Sequence, residues 1–456
     1  MDIRSNPKAR YTAIQVLAYG VNIIGYDLIG HWMIGLKLIH TRISPSRGVD
    51  YCLTMTIDDT LFFQGDHGRP NLTDFISRMP DDVLVMILSH IEGAKYINQV
   101  NGVINSYNNP RVQVFQIRFD LDYSYSDDID EWIQFALDKK VEKLELNLLD
   151  NGYSIRDPAE NYDFALPSPS AMVGQTLSLK KLSLTGVNLN EPTLNRILKN
   201  SPHLRTLFMC RSELFPRIHV GGQDIKLKHL KMVDCSGFES ISFYGFELVS
   251  FTYCGPEIEF HLTDLPKLKE LDIGEVSLGL ENNVFSQISS CALSLQVLIL
   301  DMWSPKKGLN VNAIIKLPNV KKLMLVMGAE EDDSLLQFTS IAQACPSLET
   351  FSISLHWYAP MKRRRKVRHV AAPHLHEHLK VLEIIGYYGR ISDLELAVYV
   401  IDNAVALQKI VIDPICHACD GDVTAQDFFK GVKAARSSAR RQLTPTLPPG
   451  VHLAIL

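Results

Sequence analysis

Residues 179–184 read LKKLSL, and the chain repeats this six-residue pattern along most of its length. The first, fourth and sixth residues of each copy are aliphatic or otherwise apolar, while the second, third and fifth are mostly polar. Eleven copies begin between residues 141 and 407, at intervals of 20 to 38 residues. Most intervals fall in or near the range of leucine-rich repeats, about 20–29 residues. One such unit cannot bury its own apolar face, so the copies are expected to stack.

The copies are VEKLEL from Val141, LKKLSL from Leu179, LRTLFM from Leu204, LKHLKM from Leu227, LVSFTY from Leu248, LKELDI from Leu268, LQVLIL from Leu295, VKKLML from Val320, LETFSI from Leu348, LKVLEI from Leu379 and LQKIVI from Leu407. Each copy ends in an apolar–polar alternation that is typical of a half-buried strand. Apolar residues at helical spacing follow some copies, as in residues 191–200 (EPTLNRILKN), and short loops containing proline precede others.

The pattern predicts an α/β fold, a leucine-rich-repeat solenoid whose parallel strands form a curved sheet on the concave side. A doubly wound α/β sheet is the alternative. It accounts for alternating strands and helices, but it does not account for the recurring pattern. The intervals are irregular and Asn or Cys is not expected at the usual turn position, so the repeats are expected to be degenerate.

Composition indicates a protein without bulk affinity for nucleic acid or membrane. The 456 residues carry a formal net charge of −5. Eight cysteines are scattered without the regular spacing of a secreted disulfide scaffold, which favours a reducing cytoplasmic or nuclear setting. Residues 13–40 are the most apolar stretch, but Asp27, His31 and Lys37 interrupt them, so a soluble segment is favoured over a spanning helix or signal peptide.

A different pattern precedes the repeats. Residues 75–91 read FISRMPDDVLVMILSHI, in which Asp81 and Asp82 follow Pro80 and an apolar stripe runs from Val83 to Ile91 at helical spacing. Acidic residues in a first turn suit the helix dipole, so the stretch predicts an amphipathic helix. On the pattern alone, such a helix could simply cap the open end of the solenoid.

The sequence of this stretch resembles the opening of a plant F-box. The matching residues are Ile76, Ser77, Pro80, Asp81, Val83, Leu84, Ile87, Leu88 and Ser89. In that family the F-box docks the Skp-type adaptor of a cullin-RING ubiquitin ligase, and the repeats behind it hold the substrate. The resemblance implies an adaptor-binding set of Ile76, Met79, Pro80, Val83, Leu84, Ile87, Leu88 and Ile91. Residues 94–147 are similar to the segment that joins box to repeats in plant F-box/LRR proteins, and residues 378–414 are similar to their C-terminal FBD-type module.

The second half of the box, which normally continues through two more helices, is missing after Ile91. The resulting division is a poorly specified N-terminal segment (1–70), a partial F-box (71–93), a linker or capping segment (94–140), degenerate leucine-rich repeats (141–370) and FBD-like repeats with a cap (371–456). The chain is thus expected to be a substrate-recognition subunit of a Skp–cullin–F-box ligase. The alternative is a stand-alone repeat module or decoy that has lost adaptor binding.

Catalytic and metal-binding motifs are not apparent, so an enzyme, a metal site and a cofactor are not expected. Cys416 and Cys419 form a close pair, but a structural zinc needs four ligands and the other two are missing. Three alternate histidines at 374, 376 and 378 are more typical of a solvated loop. Residues 361–368 (MKRRRKVR) suit either a nuclear-import signal or a solvated loop.

The fifth residue of each copy is expected to point out of the concave face, because it alternates with buried aliphatic residues. This places an unknown protein target against Ser183, Phe208, Lys231, Asp272, Ile299 and Met324. Their mixture of acidic, basic and apolar side chains suits a protein partner better than a nucleic acid.

Overall fold

A sheet of 14 strands dominates the computed structural model of the chain. The structure describes residues 97, 100–102, 104–105, 107, 110–149, 156–166, 176–274, 284–302, 311–329, 335–357, 366–415 and 425–456. It also describes the backbone of three strands further upstream, of which β1 (Gly25–Ile29) and β2 (Trp32–Leu36) form an antiparallel pair. These two strands fall within the apolar residues 13–40. No helix in the part of the chain that the structure describes has the length and apolar character needed to cross a membrane.

Neighbouring strands of the large sheet are all parallel, as expected for a solenoid. The strands are β3 (Val83–Ile87), β4 (Val114–Arg118), β5 (Lys143–Asn147), β7 (Lys181–Thr185), β9 (Thr206–Cys210), β11 (His229–Val233), β13 (Ser250–Cys254), β15 (Glu270–Ile273), β16 (Val297–Met302), β17 (Lys322–Ala329), β18 (Thr350–Trp357), β19 (Val381–Ile385), β20 (Lys409–Asp413) and β21 (His452–Ile455). Two small parallel sheets contain β6 (Tyr162–Asp163) with β8 (Val187–Asn188), and β10 (Arg217–Gly221) with β12 (Ser240–Tyr244) and β14 (Glu259–Thr263).

Each copy of the six-residue pattern supplies one strand of the large sheet, from β5 to β20, so the predicted leucine-rich-repeat solenoid is confirmed. The fourth and sixth residues, such as Leu182 and Leu184, are fully buried. Burial of each such leucine removes apolar surface from water and contributes on the order of 2 kcal/mol before entropic costs. The sheet also extends ahead of residue 141, because β4 lies inside the segment 94–140.

Helices cover parts of the back of the solenoid, within some intervals between copies and beyond the first and last copies. They are α1 (Ser126–Asp138), α2 (Glu191–Asn200), α3 (Val284–Gln287), α4 (Thr339–Gln343), α5 (Ile391–Asn403) and α6 (Ala425–Leu443). The sequence predicted α2 correctly. Its start is fixed by Asn190, whose side-chain oxygen accepts a 2.9 Å hydrogen bond from the backbone N–H of Thr193.

In several units, the chain turns away from the strand through a residue with left-handed backbone conformation at the eighth position. Gly186, Arg211, Asp234 and Gly386 all have positive φ, between 49° and 77°. Glycine adopts this conformation without steric cost, whereas Arg211 and Asp234 hold it with their side chains 3.9 Å apart in an ion pair. The turn is therefore a shared structural element that the degenerate sequence does not reveal.

One repeat does carry the turn residue that is usual in leucine-rich repeats. Cys235 stands ninth in the unit that begins at Leu227, which is where leucine-rich repeats carry Asn or Cys. Its thiol is buried and lies 3.5 Å from the carbonyl oxygen of Val233. Burial raises the pKa of this thiol to about 12, so it is an inert core group. The expectation that this position lacks Asn or Cys throughout was wrong for this repeat.

The predicted amphipathic helix was wrong over Val83–Ile87, which forms β3 and pairs in parallel with β4. The five residues read VLVMI, and a short apolar run containing valines fits a strand as well as a helix. An isolated short helix is marginal in water, whereas an added strand satisfies its backbone groups against an existing sheet edge. The pairing partner therefore decides the outcome, and local spacing does not reveal it.

Candidate functional site

The fifth residues of the repeated pattern form one row across the face of the sheet that points away from the core. Strand register pairs each of them with the fifth residue of the next unit. Over the first ten of the eleven units, the row consists of Glu145, Ser183, Phe208, Lys231, Thr252, Asp272, Ile299, Met324, Ser352 and Glu383. All six residues expected to contact a target belong to it, with a spacing of about 4.8 Å between neighbouring strands.

Apolar groups in this row fall into two separate places. Ile299 and Met324 are direct register partners on β16 and β17. Phe208 lies on β9, with Lys231, Thr252 and Asp272 between it and Ile299, so the three apolar residues do not form a continuous patch. Any partner that spans both places must also accommodate the polar residues between them.

The accessibility of the predicted residues differs along the row. Ser183 and Met324 are nearly buried, with exposed fractions of 7% and 6%. Phe208, Lys231, Asp272 and Ile299 are half-buried, which leaves part of each side chain available. The accessible part of the predicted surface therefore lies mainly between β9 and β16.

Side-chain contacts fix both ends of the row. At one end Glu145 accepts hydrogen bonds from Gln116 (3.0 Å) and from Arg118 (2.8 Å) on the neighbouring strand. At the other end Ser352 donates a 2.6 Å hydrogen bond to Glu383. In the middle the ammonium group of Lys231 lies 5.8 Å from the centre of the Phe208 ring, a cation–π arrangement. These contacts hold the polar groups in a fixed order along the face.

Ion pairs also link neighbouring units at the edge where the strands begin. Lys180 contacts Glu142 at 2.8 Å, while Lys321 and Lys380 contact Glu349 at 3.3 Å and 2.9 Å. The hydrogen bond from Lys380, followed by that from Lys321, lowers the pKa of Glu349. These exposed pairs contribute little to stability, but they determine how much net charge each part of the edge presents.

The expected adaptor-binding residues are only partly described. Val83, Leu84 and Ile87 lie in β3, as part of the sheet and not on a helix. The other members of the set, Ile76, Met79, Pro80, Leu88 and Ile91, lie outside the described residues. A helical adaptor surface over residues 83–87 would therefore require β3 to leave the sheet.

The described residues contain no group of three or more His, Cys, Asp or Glu side chains placed to hold a metal ion. Of the three alternate histidines, His376 is buried and its Nε2 lies 2.9 Å from the side-chain nitrogen of Gln343. Burial lowers the pKa of this imidazole, which favours its neutral form. Cys416 and Cys419 lie outside the described residues.

One residue of the basic stretch 361–368 has a structural role. Arg368 forms a two-pronged contact with Glu395 on α5, at 3.1 Å through Nε and 3.0 Å through Nη2. The Glu395 side chain is fully buried, while that of Arg368 is 51% exposed. Arg368 therefore anchors the end of this insertion to the helix. The rest of the stretch, apart from Lys366 and Val367, lies outside the described residues, and its role as an import signal stays a prediction.

A buried carboxylate beside this anchor was not anticipated from the sequence. Oδ2 of Asp393 accepts three 3.0 Å hydrogen bonds, from the backbone N–H groups of Tyr388, Gly389 and Arg390. Burial nevertheless raises the pKa of Asp393 to about 6. The carboxylate therefore shapes the turn that begins α5.

Comparison with known proteins gives the family of the chain. The family model described as "At1g61320/AtMIF1, LRR domain" matches residues 103–456. The F-box/LRR-repeat protein At3g03360 of Arabidopsis thaliana is 28% identical over 192 aligned residues, which cover 30% of this chain and 39% of that protein. The F-box/FBD/LRR-repeat protein At4g26340 of Arabidopsis thaliana is 22% identical over 417 aligned residues, covering 75% of this chain and 93% of that protein. The chain thus spans under half of the first relative and most of the second.

Proposed function

The chain belongs to the At1g61320/AtMIF1 leucine-rich-repeat family and is a plant F-box/LRR protein, and from this premise we propose that it recognises a protein target for a Skp–cullin–F-box ubiquitin ligase. In this proposal the solenoid holds the target and performs no chemistry, because ubiquitin transfer belongs to the other subunits of the ligase. It acts in the cytoplasm, the nucleus or both, which agrees with the scattered spacing of its cysteines.

The observation that carries target binding is the row of fifth residues on one continuous sheet face. A rigid curved sheet presents many side chains in fixed positions, as repeat proteins do for their partners. The row combines half-buried Phe208 and Ile299 with charged Lys231 and Asp272, a mixture typical of protein interfaces. We therefore assign the target to this face, centred between β9 and β16.

The adaptor part of the proposal rests on a different kind of support. Both Arabidopsis relatives are F-box proteins by name, and the sequence of residues 76–91 resembles the first half of such a box. We propose that Ile76, Met79, Pro80, Val83, Leu84, Ile87, Leu88 and Ile91 contact the Skp-type adaptor. A standard interface buries about 800 Å² on each partner, so half a box is expected to bind more weakly than a complete one.

A second candidate function is a stand-alone repeat module that holds a partner without joining a ligase. The pairing of β3 with β4 favours it, because this pairing uses the backbone of Val83–Ile87 inside the solenoid. An adaptor that requires a helix there must compete with five residues of sheet pairing. The two candidates therefore differ in whether β3 leaves the sheet.

Co-purification of the full chain with a plant Skp-type adaptor separates the two. The ligase proposal predicts binding in the micromolar range, loss of binding in the double variant Leu84→Asp/Leu88→Asp, and unchanged binding in Phe208→Asp on the concave face. Circular dichroism of each variant checks that the solenoid remains folded. If the wild-type chain does not bind the adaptor at micromolar concentration, the ligase proposal fails and the stand-alone module is retained.

A further inference from the structure

The edge where the strands begin carries very different charge in two parts of the solenoid. In the four units that begin at residues 141, 179, 204 and 227, the second, third and fifth residues include six Lys or Arg and two Glu. In the four units that begin at residues 268, 295, 320 and 348, the same positions include three Lys and three Asp or Glu. The first set has an excess of four positive charges and the second has none.

We propose that the first set is a docking site for an acidic segment of the protein target, and this inference rests on the proposed target-binding function. We call the site the basic edge and define it as Lys143, Lys181, Arg205, Lys228 and Lys231. These residues come from β5, β7, β9 and β11 or the residue just before each strand, and those four strands are neighbours in the sheet.

The two acidic residues within this part of the face are already compensated. Glu142 is paired with Lys180 at 2.8 Å, and Glu145 is paired with Arg118 at 2.8 Å. By contrast, Lys181 and Arg205 have no acidic partner at ion-pair distance among the described residues. The positive charge of Lys181 and Arg205 is therefore left for a ligand, and a concave surface concentrates such a field.

The dimensions suit a short extended peptide. Four neighbouring strands span about 14 Å, since adjacent strands lie about 4.8 Å apart. In an extended peptide, alternate side chains share one face and lie about 6.6–6.8 Å apart, so two or three carboxylates fit along the basic edge. Glu270 and Asp272 on β15 reverse the sign of the charge beyond this span and would repel a longer acidic run.

An acidic peptide fits this surface better than single-stranded nucleic acid does. Binding of nucleic acid without sequence preference relies on several aromatic side chains on which bases stack. Phe208 is the one aromatic residue among the fifth residues of the row, and the ammonium group of Lys231 lies over its ring. Charge attraction without stacking platforms indicates carboxylates on a polypeptide.

The chain offers closely matched controls for a test. Lys181 and Lys322 both occupy the third position of a LKKLSL-type unit, and Lys228 and Lys269 both occupy the second position. Each double variant replaces one residue at the third position and one at the second position with Glu, so both variants change the net charge by the same amount. Only the variant Lys181→Glu/Lys228→Glu alters the basic edge, whereas Lys322→Glu/Lys269→Glu alters the charge-balanced part.

The probe is a fluorescent octapeptide of alternating Ser and Glu. Its binding to the full-length chain is measured by fluorescence anisotropy. A Ser/Gln peptide and an oligothymidine serve as comparison ligands. We expect Lys181→Glu/Lys228→Glu to weaken binding of the Ser/Glu peptide about tenfold and Lys322→Glu/Lys269→Glu to change it less than twofold. Equal loss in both variants, no binding of the Ser/Glu peptide by the wild type, or tighter binding of the oligothymidine would overturn the inference. Such a failure is separable from failure of target binding, which cross-linking from Phe208 and Ile299 tests independently.

Discussion

The repeats between residues 204 and 274 and those between residues 348 and 415 share one front sheet but differ at the back. Units in the first region start 20 to 23 residues apart. Three of these units each contain a second strand behind the front sheet, namely β10, β12 and β14. In the second region the 28-residue interval from Leu379 to Leu407 contains the 13-residue helix α5. The six-residue pattern therefore determines the front of the solenoid, while the segments between copies place either a second strand or a helix at its back.

The two regions also fill their interiors differently. Aromatic rings pack along the short repeats, with the Phe251 ring centre 5.1 Å from that of Phe243 and 6.0 Å from that of Phe260. The long repeats instead bury Asp393 and Glu395 at the start of α5, where each carboxylate accepts hydrogen bonds from backbone N–H groups. The first region is held by apolar packing, and the second also depends on polar contacts, which gives each region its own sensitive positions.

The largest effect is expected in the aromatic core of the short repeats. Phe251→Ala removes a fully buried ring between two others and should lower the free energy of unfolding by about 3–5 kcal/mol. Urea denaturation measures this change. Thr252→Ala, at the next residue on the front face, is the control and should change it by less than about 0.5 kcal/mol. A small effect at Phe251 would show that the aromatic packing does not hold this region together.

A somewhat smaller effect is expected from the turn after β19. Gly386 has a φ of +77°, and a Cβ atom added there would overlap the carbonyl oxygen of Leu355. Gly386→Ala should therefore destabilise by about 2–3 kcal/mol, from backbone strain and displacement of the neighbouring strand. Gly222 in the short repeats has a φ of +118° and open space around it. Gly222→Ala should therefore lower the free energy of unfolding through backbone strain alone, by about 1–2 kcal/mol. Equal melting temperatures for the two variants would contradict this account.

Loss of the Arg368 anchor should have a moderate effect on the long repeats. Arg368→Gln leaves the buried Glu395 carboxylate without its charged partner, and because Arg368 is half exposed we expect about 1–2 kcal/mol of destabilisation. Lys366→Gln, two residues earlier in the same basic stretch, is the matched control and should be neutral. Hydrogen exchange of α5 provides a local readout. Unchanged protection of this helix in Arg368→Gln would exclude the anchoring role.

The smallest expected effect is a pH dependence that comes from Asp393. The pKa of this group is raised to about 6 in the folded chain, above its ordinary value near 4, so the folded state binds the proton more strongly. Its contribution to stability is fully present below about pH 4 and is lost as the pH rises through 6. Between pH 5 and pH 7, the stability of the wild type relative to Asp393→Asn should fall by about 1 kcal/mol. Parallel stability curves for the two proteins would contradict the raised pKa.

The front of the solenoid could be predicted from sequence because its pattern is local. The alternation in LKKLSL is enough to place Leu182 and Leu184 in the core and Ser183 on the opposite face. The back could not be predicted as well, since strand pairing among β10, β12 and β14 depends on neighbouring units. The same limitation explains the error at Val83–Ile87, where an apolar run without its sheet neighbour reads equally well as helix.

The candidate site shows the same division. The row of fifth residues follows from periodicity, but the near burial of Met324 depends on surrounding chain that the pattern does not describe. Likewise the pairing of Glu145 with Arg118 joins residues 27 positions apart, and no spacing rule relates them. The sequence gives the charge of each residue, but only the structure shows which charged side chains are paired with one another.

Site-specific photo-cross-linking tests most directly whether the front sheet binds the target. A benzophenone amino acid is placed at Phe208 or Ile299 on the front face, and at Tyr244, which is exposed on the back strand β12, and each full-length protein is irradiated in plant cell extract. We predict that both front positions give an adduct of the same size and that Tyr244 does not. An adduct from Tyr244 alone, or equal adducts from front and back, would contradict target binding on the concave face.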